Sequence, residues 1–354
     1  MNALPASHLF RPLPGGALDI VGDVHGEWGM LEQLLYRLGY DEYGRHPQGR
    51  KLVFVGDLCD RGQDSPQVLD WLIEAVRAEH AWAVLGNHEM NLLMDDPKDG
   101  SGWYFNERTQ DEARYAPWRH YPEAGKAALC EALAQWPLVL QREDLRIVHA
   151  AWLPESLQRI ADLGDMPLCE QYRWFEDDFR QQYDRSVWAA RYEEEQSRLA
   201  AQLEDENFAM GFLEATAHYD LWRSHANPIR ALTCGVEVMA PAPFYANGRW
   251  RFTARCPWWQ QYEDDAAVLI GHYWRLWDGP APVAADRLPL FVEEGAAWQG
   301  AKKAVFCVDY SAGARWRDRQ KGVAAAASGY HLAAMRWPEQ VLVREDGVTA
   351  VTVK

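Results

Sequence analysis

No stretch of this chain reaches the roughly 18–20 consecutive apolar residues that a membrane-spanning helix needs. The first residues, up to Arg11, lack the basic start and apolar stretch of a secretory signal, so a cytoplasmic protein with no membrane partner is expected. Six cysteines (Cys59, Cys130, Cys169, Cys234, Cys256 and Cys307) stand singly, with no C-x-x-C pair. That pattern points to reduced thiols and away from a disulfide framework or a zinc ribbon. Internal repeats and low-complexity linkers are also missing. Positive charge is in deficit: 36 Lys and Arg face 52 Asp and Glu, a net charge of −16. Such a field repels long polyanions and argues against nucleic acid as a partner. A small anionic substrate stays open, because bound cations reverse the sign locally.

What is present is ordinary globular composition, 48% hydrophobic and 25% charged over 354 residues, enough for one large domain or two modest ones. Three strand–loop–helix units occupy the first part. Residues 17–21 form a short apolar run ending at Gly22-Asp23, followed by Leu31, Leu34, Leu35 and Leu38 at helical spacing. Residues 51–55 repeat the pattern and end at Gly56-Asp57. The next helix is expected to be capped by Ser65, with Pro66 at its first position and Val68, Leu69, Leu72, Ile73 and Val76 facing inward. Residues 81–85 end at Gly86-Asn87-His88. Runs apolar throughout suit strands buried on both faces of an α/β sheet. Residues 155–227 differ: they are helix-like and hold 7 Arg, no Lys and 16 Asp plus Glu, hence −9 of the total charge. Strand signals return from Ala231 onward, at 266–270, 304–308 and 340–343. The expected organisation is a single α/β domain over 1–354, split around an acidic helical cap at 155–227.

The chemistry-bearing residues sit where these strands end. Asp23 and His25 follow the first, Asp57 and Asp60 the second, Asn87 and His88 the third; His149 and His272 close two later apolar runs. Ligands of open α/β sheets collect beyond the carboxyl ends of strands, so these five loops can converge. Carboxylates, imidazoles and an amide oxygen form an N/O set suited to Mn, Fe or Zn. Phosphoryl transfer requires a water made nucleophilic at neutral pH and neutralisation of the leaving oxygen, and two cations sharing one carboxylate supply both. Asp57, central in the order of motifs, is the natural bridge. Glycines at 22, 26, 56, 62 and 86 permit close backbone approach.

Gly22-Asp-Val-His-Gly26, Gly56-Asp-Leu-Cys-Asp-Arg-Gly62 and Gly86-Asn-His-Glu89, followed by single histidines, resemble the calcineurin-like metallophosphoesterases. The Asp60-Arg61-Gly62 ending looks like the phosphoprotein-phosphatase branch, which includes bacterial diadenosine tetraphosphatases. The resemblance covers about residues 19–274, and Val308-Asp-Tyr-Ser-Ala-Gly313 and Leu332-Ala-Ala-Met335 are similar to that branch's closing strands. It implies a sandwich of mixed β-sheets flanked by helices and two metal ions. Asp23, His25 and Asp57 would hold one ion; Asp57, Asn87, His149 and His272 the other. His88 would be the general acid, oriented by Asp60. Arg61, with Asn87, would bind phosphate oxygens, and of the arginines offering a second clamp Arg230 is chosen over Arg223 and Arg275. One departure stands out: the family has Gly after the first late histidine, where this chain reads His149-Ala150-Ala151-Trp152.

Plainer roles compete. Asp23 alone would be a turn or cap residue, Asp60 can cap the next helix, His149 and His272 can be satisfied core histidines, and Arg230 can be a surface ion-pair residue. Most of the 18 tryptophans should pack the core or cap, although Trp103, Trp152 or Trp274 can face a substrate. The acidic run at 193–195 reads as a solvated helix face, and Cys59 as packing. Three functions follow: a hydrolase of phosphomonoester or phosphoanhydride bonds in small substrates such as nucleotides or dinucleoside polyphosphates, a protein Ser/Thr phosphatase of the same chemistry, or a metal-retaining binder without turnover. Retention of His88, Asp60 and Arg61 argues against the third.

Overall fold

The structure, a computed structural model, describes residues 5–246, 249–279, 290–291 and 293–354. An edge strand, β1 (Phe10–Pro12), precedes the three expected units. These are β2 (Leu18–Val21) with α1 (Trp28–Leu38), β3 (Lys51–Phe54) with α2 (Ser65–Arg77), and β4 (Ala81–Ala83) with α3 (Asn87–Leu93). Two short helices, α4 (Glu112–Tyr115) and α5 (Lys126–Leu133), lead to β5 (Val139–Gln141) and β6 (Leu145–Val148). The acidic region then folds as α6 (Pro154–Ala161), α7 (Leu168–Asp184), α8 (Ala189–Leu199) and α9 (Glu214–Ala226). After α10 (Pro228–Cys234) come β7 (Glu237–Ala246), β8 (Arg249–Arg255), β9 (Ala267–Ile270) and β10 (Val305–Cys307). The chain finishes with α11 (Arg315–Gln320), β11 (Ala333–Trp337), β12 (Val341–Arg344) and β13 (Thr349–Val351).

Two mixed sheets result. One has the order β13-β12-β11-β2-β3-β4, parallel from β2 to β4 and antiparallel across β11. The other has the order β1-β5-β6-β9-β10. Alternation along the strands sorts the two interiors. Leu18, Ile20, Val53 and Val55 meet Leu140, Ile147, Leu269 and Phe306 between the sheets. Val21, Leu52 and Phe54 pack outward under Leu31, Leu34, Val68 and Leu72 of α1 and α2. This is the α/β sandwich flanked by helices that the motifs implied. Among the described residues no helix is long and apolar enough to cross a membrane.

Two local expectations are corrected. The cap of α2 is Asp64, whose carboxylate accepts from Gln67 N at 3.1 Å. Ser65 is inside the helix, and its hydroxyl accepts instead from Asp60 N at 2.9 Å. Residues 231–234 are helical, not a strand: Asn227 Oδ1 accepts from the backbone N–H groups of Ile229 and Arg230, and Pro228 starts the turn. β7 and β8 form a hairpin outside both sheets, and Phe252 of β8 packs with Leu203, Leu213 and Ala217 from the acidic region. That hairpin lies beyond the expected boundary at residue 227, yet shares a core with the segment before it.

At the opposite end of β2 from the motif loop, the sheet is braced by a buried ion pair. Arg50 donates to Asp19 through Nε (3.0 Å) and Nη2 (2.9 Å), and to the Leu18 carbonyl at 2.7 Å. Tyr40 donates to the same carboxylate at 2.9 Å. Removing one partner of such a pair strands the other charge in the interior. Arg50→Ala should lower unfolding free energy by about 3–5 kcal/mol in a urea titration. A loss below about 1 kcal/mol would mean that β2 is positioned by packing alone.

Candidate active site

All the expected loops leave the carboxyl ends of strands and meet over the seam between the sheets. Their tight turns force side-chain-bearing residues into the left-handed region: φ is 45° at His25, 50° at Asp57, 73° at Asp60, 68° at Arg61, 69° at His272 and 55° at Trp274. Such conformations cost on the order of 1 kcal/mol or more each and persist only when surroundings over-determine them. Here the surroundings are hydrogen bonds. Val24 N and His25 N both donate to the Asp57 carbonyl at 3.0 Å, locking the first loop onto the second.

Two donor groups emerge, His25–Asp57–His88 and Asp57–His149–His272, each with its ligand atoms within 4.8 Å of one another. Asp57 is common to both. Its Oδ2 lies 3.2 Å from His149 Nε2, 3.8 Å from His25 Nε2 and 3.9 Å from His88 Nε2. Its Oδ1 accepts from His88 N at 3.0 Å. Burial alone would raise the Asp57 pKa, but His149, His88 and His25 hold it well below the usual carboxylate range. The second ring nitrogen of each histidine is fixed: Nδ1 of His25 pairs with the Cys59 carbonyl at 3.0 Å and Nδ1 of His149 with the Val55 carbonyl at 2.7 Å. His272 Nδ1 instead meets Asn87 Oδ1 at 2.9 Å. Asp23 is next to this set, its Oδ2 accepting from His272 N at 2.9 Å. Burial, reinforced by Asp309 and Asp57, pushes the Asp23 carboxyl well up.

These residues fit metal ions. Asp23 Oδ1 and His149 Nε2 are buried without a hydrogen-bond partner, and such orphans are costly unless something else is to satisfy them. His149 Nε2 is close to Asp57 but too poorly aligned to bond it. Gly271 leaves room that a side chain would fill: a Cβ there would lie 1.9 Å from Asp23 Oδ1. Gly313 does the same for His25, at 2.2 Å from its Cδ2. His88 is in a donor group as well as beside Asp60, so geometry alone permits it either role. Ala150, where a Gly was expected, is fully buried, and His149 before it lies in one of the donor groups.

The His88–Asp60 pair is close, Nδ1 to Oδ2 at 2.5 Å. Asp60's other oxygen accepts from Trp103 Nε1 at 2.5 Å, so a fully buried indole sets the carboxylate that sets the imidazole. Asp60 therefore does not cap α2. Arg61 donates to His25 Nε2 at 2.9 Å and to His88 Nε2 at 3.1 Å, with its guanidinium 4.9 Å from the centre of the Trp274 ring. Arg230 is on α10, hydrogen-bonded to Tyr172 and beside Cys234 and Glu176, not among the donor groups. Arg223 pairs with Glu176 at 2.9 Å. Arg275 is buried and donates to the Glu294 and Ala297 carbonyls. Trp152 is buried beneath Arg146.

Three residues at the site escaped sequence reasoning. Glu89 is fully buried and accepts from the backbone N–H groups of Asp57, Leu58 and Gly86 at 2.8–2.9 Å, tying the second loop to the third. Its signal was available: a Glu three residues after the helix-preceding Gly86 is placed to reach back for that N–H. Cys59, expected to be packing, is fully buried and its Sγ also donates to the Glu89 carboxylate at 3.4 Å. Asp309, after β10, accepts from Trp274 N and Ser311 N, each at 2.8 Å. Arg255 donates to the His272 carbonyl at 3.0 Å and helps hold the His272 pKa down, where burial is the larger cause. Nothing in the local sequence marked either one.

Gly271→Ala drives a methyl into Asp23, so it should keep the far-ultraviolet circular dichroism of the wild type while lowering its metal content in elemental analysis. An unchanged metal content would show that Asp23 holds no ion.

A sequence model of the calcineurin-like phosphoesterase family matches residues 17–273. The chain is 43% identical over 74 residues to the bis(5'-nucleosyl)-tetraphosphatase PrpE (asymmetrical) of Oceanobacillus iheyensis, covering 20% of this chain and 30% of that one. With its counterpart in Halalkalibacterium halodurans the identity is 49% over 74 residues, with the same coverage. The chain thus spans about 30% of the length of the curated relatives it matches. The solved cold-active protein-tyrosine phosphatase of a psychrophilic Shewanella is similar over 98% of this chain and 85% of its own, at 14% identity and a TM-score of 0.49. The family match spans both sheets' motif loops, from β2 to the residue after His272, and the chain belongs to the calcineurin-like phosphoesterase family.

Proposed function

We propose that this chain is a two-metal phosphoesterase that hydrolyses phosphomonoester or phosphoanhydride bonds of small substrates, nucleotides and dinucleoside polyphosphates among them. One observation carries the reading: a single buried carboxylate, Asp57, is shared by two donor groups, directly beside an imidazole held by a second carboxylate. Asp23, His25 and Asp57 would hold one ion and Asp57, Asn87, His149 and His272 the other. When bound, the pair would supply an activated water and neutralise charge on the phosphoryl oxygens. The protein's own part is positional. Asp60 accepts from Nδ1 of His88 and fixes the ring; Nε2, which accepts from Arg61 in this structure, would carry the proton destined for the leaving oxygen once the substrate phosphate draws Arg61 away. Trp103 keeps Asp60 from turning away. Arg61 offers a planar fork of donors for phosphate oxygens.

A small substrate is favoured by the position of the cap. The Leu232 carbonyl of α10 accepts from Ala150 N, in the His149 loop, at 2.9 Å. Arg255, the last residue of β8, reaches the His272 carbonyl. The helical segment and its hairpin are thereby anchored beside two proposed ligands, supporting a roof that narrows entry, and its negative charge opposes extended polyanions. The relatives named as tetraphosphatases support the same substrate class. All six cysteines are free, which fits a reducing, cytoplasmic setting.

The direct test is a panel of aryl phosphates, nucleotides, dinucleoside tetraphosphates and phosphopeptides, run on one preparation before and after exhaustive chelation. Turnover should vanish on chelation and return with Mn, Fe or Zn; activity at parity in the stripped protein sinks the reading. Within that panel His88→Ala should cost on the order of 10²–10⁴-fold in kcat. The loss should shrink on substrates with acidic leaving groups, which need little protonation. Equal losses on good and poor leaving groups would remove His88 from the acid role.

A further inference from the structure

α11 carries three arginines in a row of alternate residues, and they are not equivalent. Arg319 pairs with Glu27 at 2.7 Å, and Arg315 approaches Asp318 at 3.8 Å. Arg317 has no carboxylate at ion-pair distance and no side-chain hydrogen bond among the described residues. Its guanidinium lies instead 5.6 Å from the centre of the Trp274 ring and 5.5 Å from that of Trp316. Trp274 is the same indole that Arg61 covers at 4.9 Å. Two cations therefore share one ring beside the site, the centre of that ring 6.5 Å from that of His25.

The chain goes to some length to build this arrangement. Trp274 is a bulky residue held at a φ of 55°, a conformation such side chains avoid, and it is pinned there by its N–H on Asp309. The turn entering α11 is pressed so close to His25 that Gly313 has no room for a side chain. Each guanidinium gains from the face of the indole. Between themselves they repel, and an anion lying against both relieves that repulsion. A phosphomonoester brings only one phosphoryl group, which Arg61 and the two ions would already serve. An oligophosphate brings a second charged group at a fixed step from the first.

We propose that Arg317 and Trp274 complete, with Arg61, a subsite for the phosphoryl group adjoining the one that is cleaved, so that the site selects a phosphoanhydride chain over a simple monoester. This rests on the phosphoesterase reading above and names its preferred substrate class. Arg317 acts here as a specificity residue: it touches the part of the substrate that does not react.

The test uses two ligands that cannot be hydrolysed, methylenebisphosphonate and methylphosphonate, titrated by calorimetry into the full, metal-loaded chain. Arg317→Ala should weaken the bisphosphonate by roughly 10- to 100-fold, the scale of a lost charge-assisted contact. Its effect on the bisphosphonate should exceed that on methylphosphonate by about tenfold or more. Arg317→Lys should recover part of the loss, since it keeps the charge but not the planar fork. Arg317→Gln serves as a second neutral variant should the alanine protein be poorly folded. Equal effects on both ligands, or no effect on either, overturn the subsite. A wild-type protein that hydrolyses p-nitrophenyl phosphate but no phosphoanhydride overturns it too, while leaving the phosphoesterase standing. Absence of any metal-dependent turnover would instead fell the phosphoesterase reading, and the two titrations would still decide whether Arg317 reads a second phosphoryl group.

Discussion

The crevice is organised around buried negative charge that the polypeptide does not neutralise by itself. Asp23, Asp57, Glu89 and Asp309 are each almost wholly removed from water. Burial raises the carboxyl pKa of Asp23, Glu89 and Asp309, and each of the three is raised further by the charge on Asp57. Only Asp57 is held low, by three imidazoles. Carboxylates this close cannot all stay ionised in a low-dielectric setting without cations among them. The division of labour follows from what each one touches. Glu89 and Asp309 spend their oxygens on backbone N–H groups and so hold the loops, whereas Asp57 keeps an oxygen among the histidines and Asp23 keeps one buried without a hydrogen-bond partner.

Much of this was legible in the sequence because strand and loop are adjacent in the chain. An apolar run buried on both faces ends where its residues turn polar, so Asp23, Asp57 and Asn87 could be placed at strand ends without coordinates. His149 and His272 were legible only through the company of the earlier motifs, since the strands they follow belong to a different sheet. The closing strand near 304–308 was also visible, but the function of the residue after it was not. Asp309 acts on Trp274, 35 positions earlier, and no local pattern encodes that pairing. Arg255 was hidden for a related reason: its strand is one half of a hairpin outside both sheets, so nothing about the sheet pattern pointed back to His272.

The helix at 228–234 shows why an apolar run is a weak guide to its own conformation. Ile229, Ala231 and Leu232 are as buried as any strand residue, and only the preceding Asn-Pro distinguishes the segment. The mistaken cap of α2 has the same lesson at single-residue scale. Asp64 and Ser65 are both good caps, and the choice between them was made by Asp60, whose N–H takes the serine hydroxyl.

The proposed ligands come from two sheets that share no strand ladder and face each other mainly through side chains. Asp23, His25, Asp57 and Asn87 ride on one, His149 and His272 on the other, and the layer of Ile20, Val53, Ile147, Leu269 and Phe306 spaces them. No backbone hydrogen bond of either ladder fixes that spacing. Beside the hydrogen bonds of His149 to Val55 and of His272 to Asp23, it depends on the girth of the aliphatic and aromatic groups in between, as the thickness of a gasket sets the gap between two plates. A methylene added or removed far below the crevice therefore shifts one half of the ligand set against the other. Since a displacement of about an ångström can cost a reaction on the order of 100-fold, the inter-sheet core would help to gauge the distance between the proposed ligands, and its composition would then be constrained by chemistry that none of its members performs.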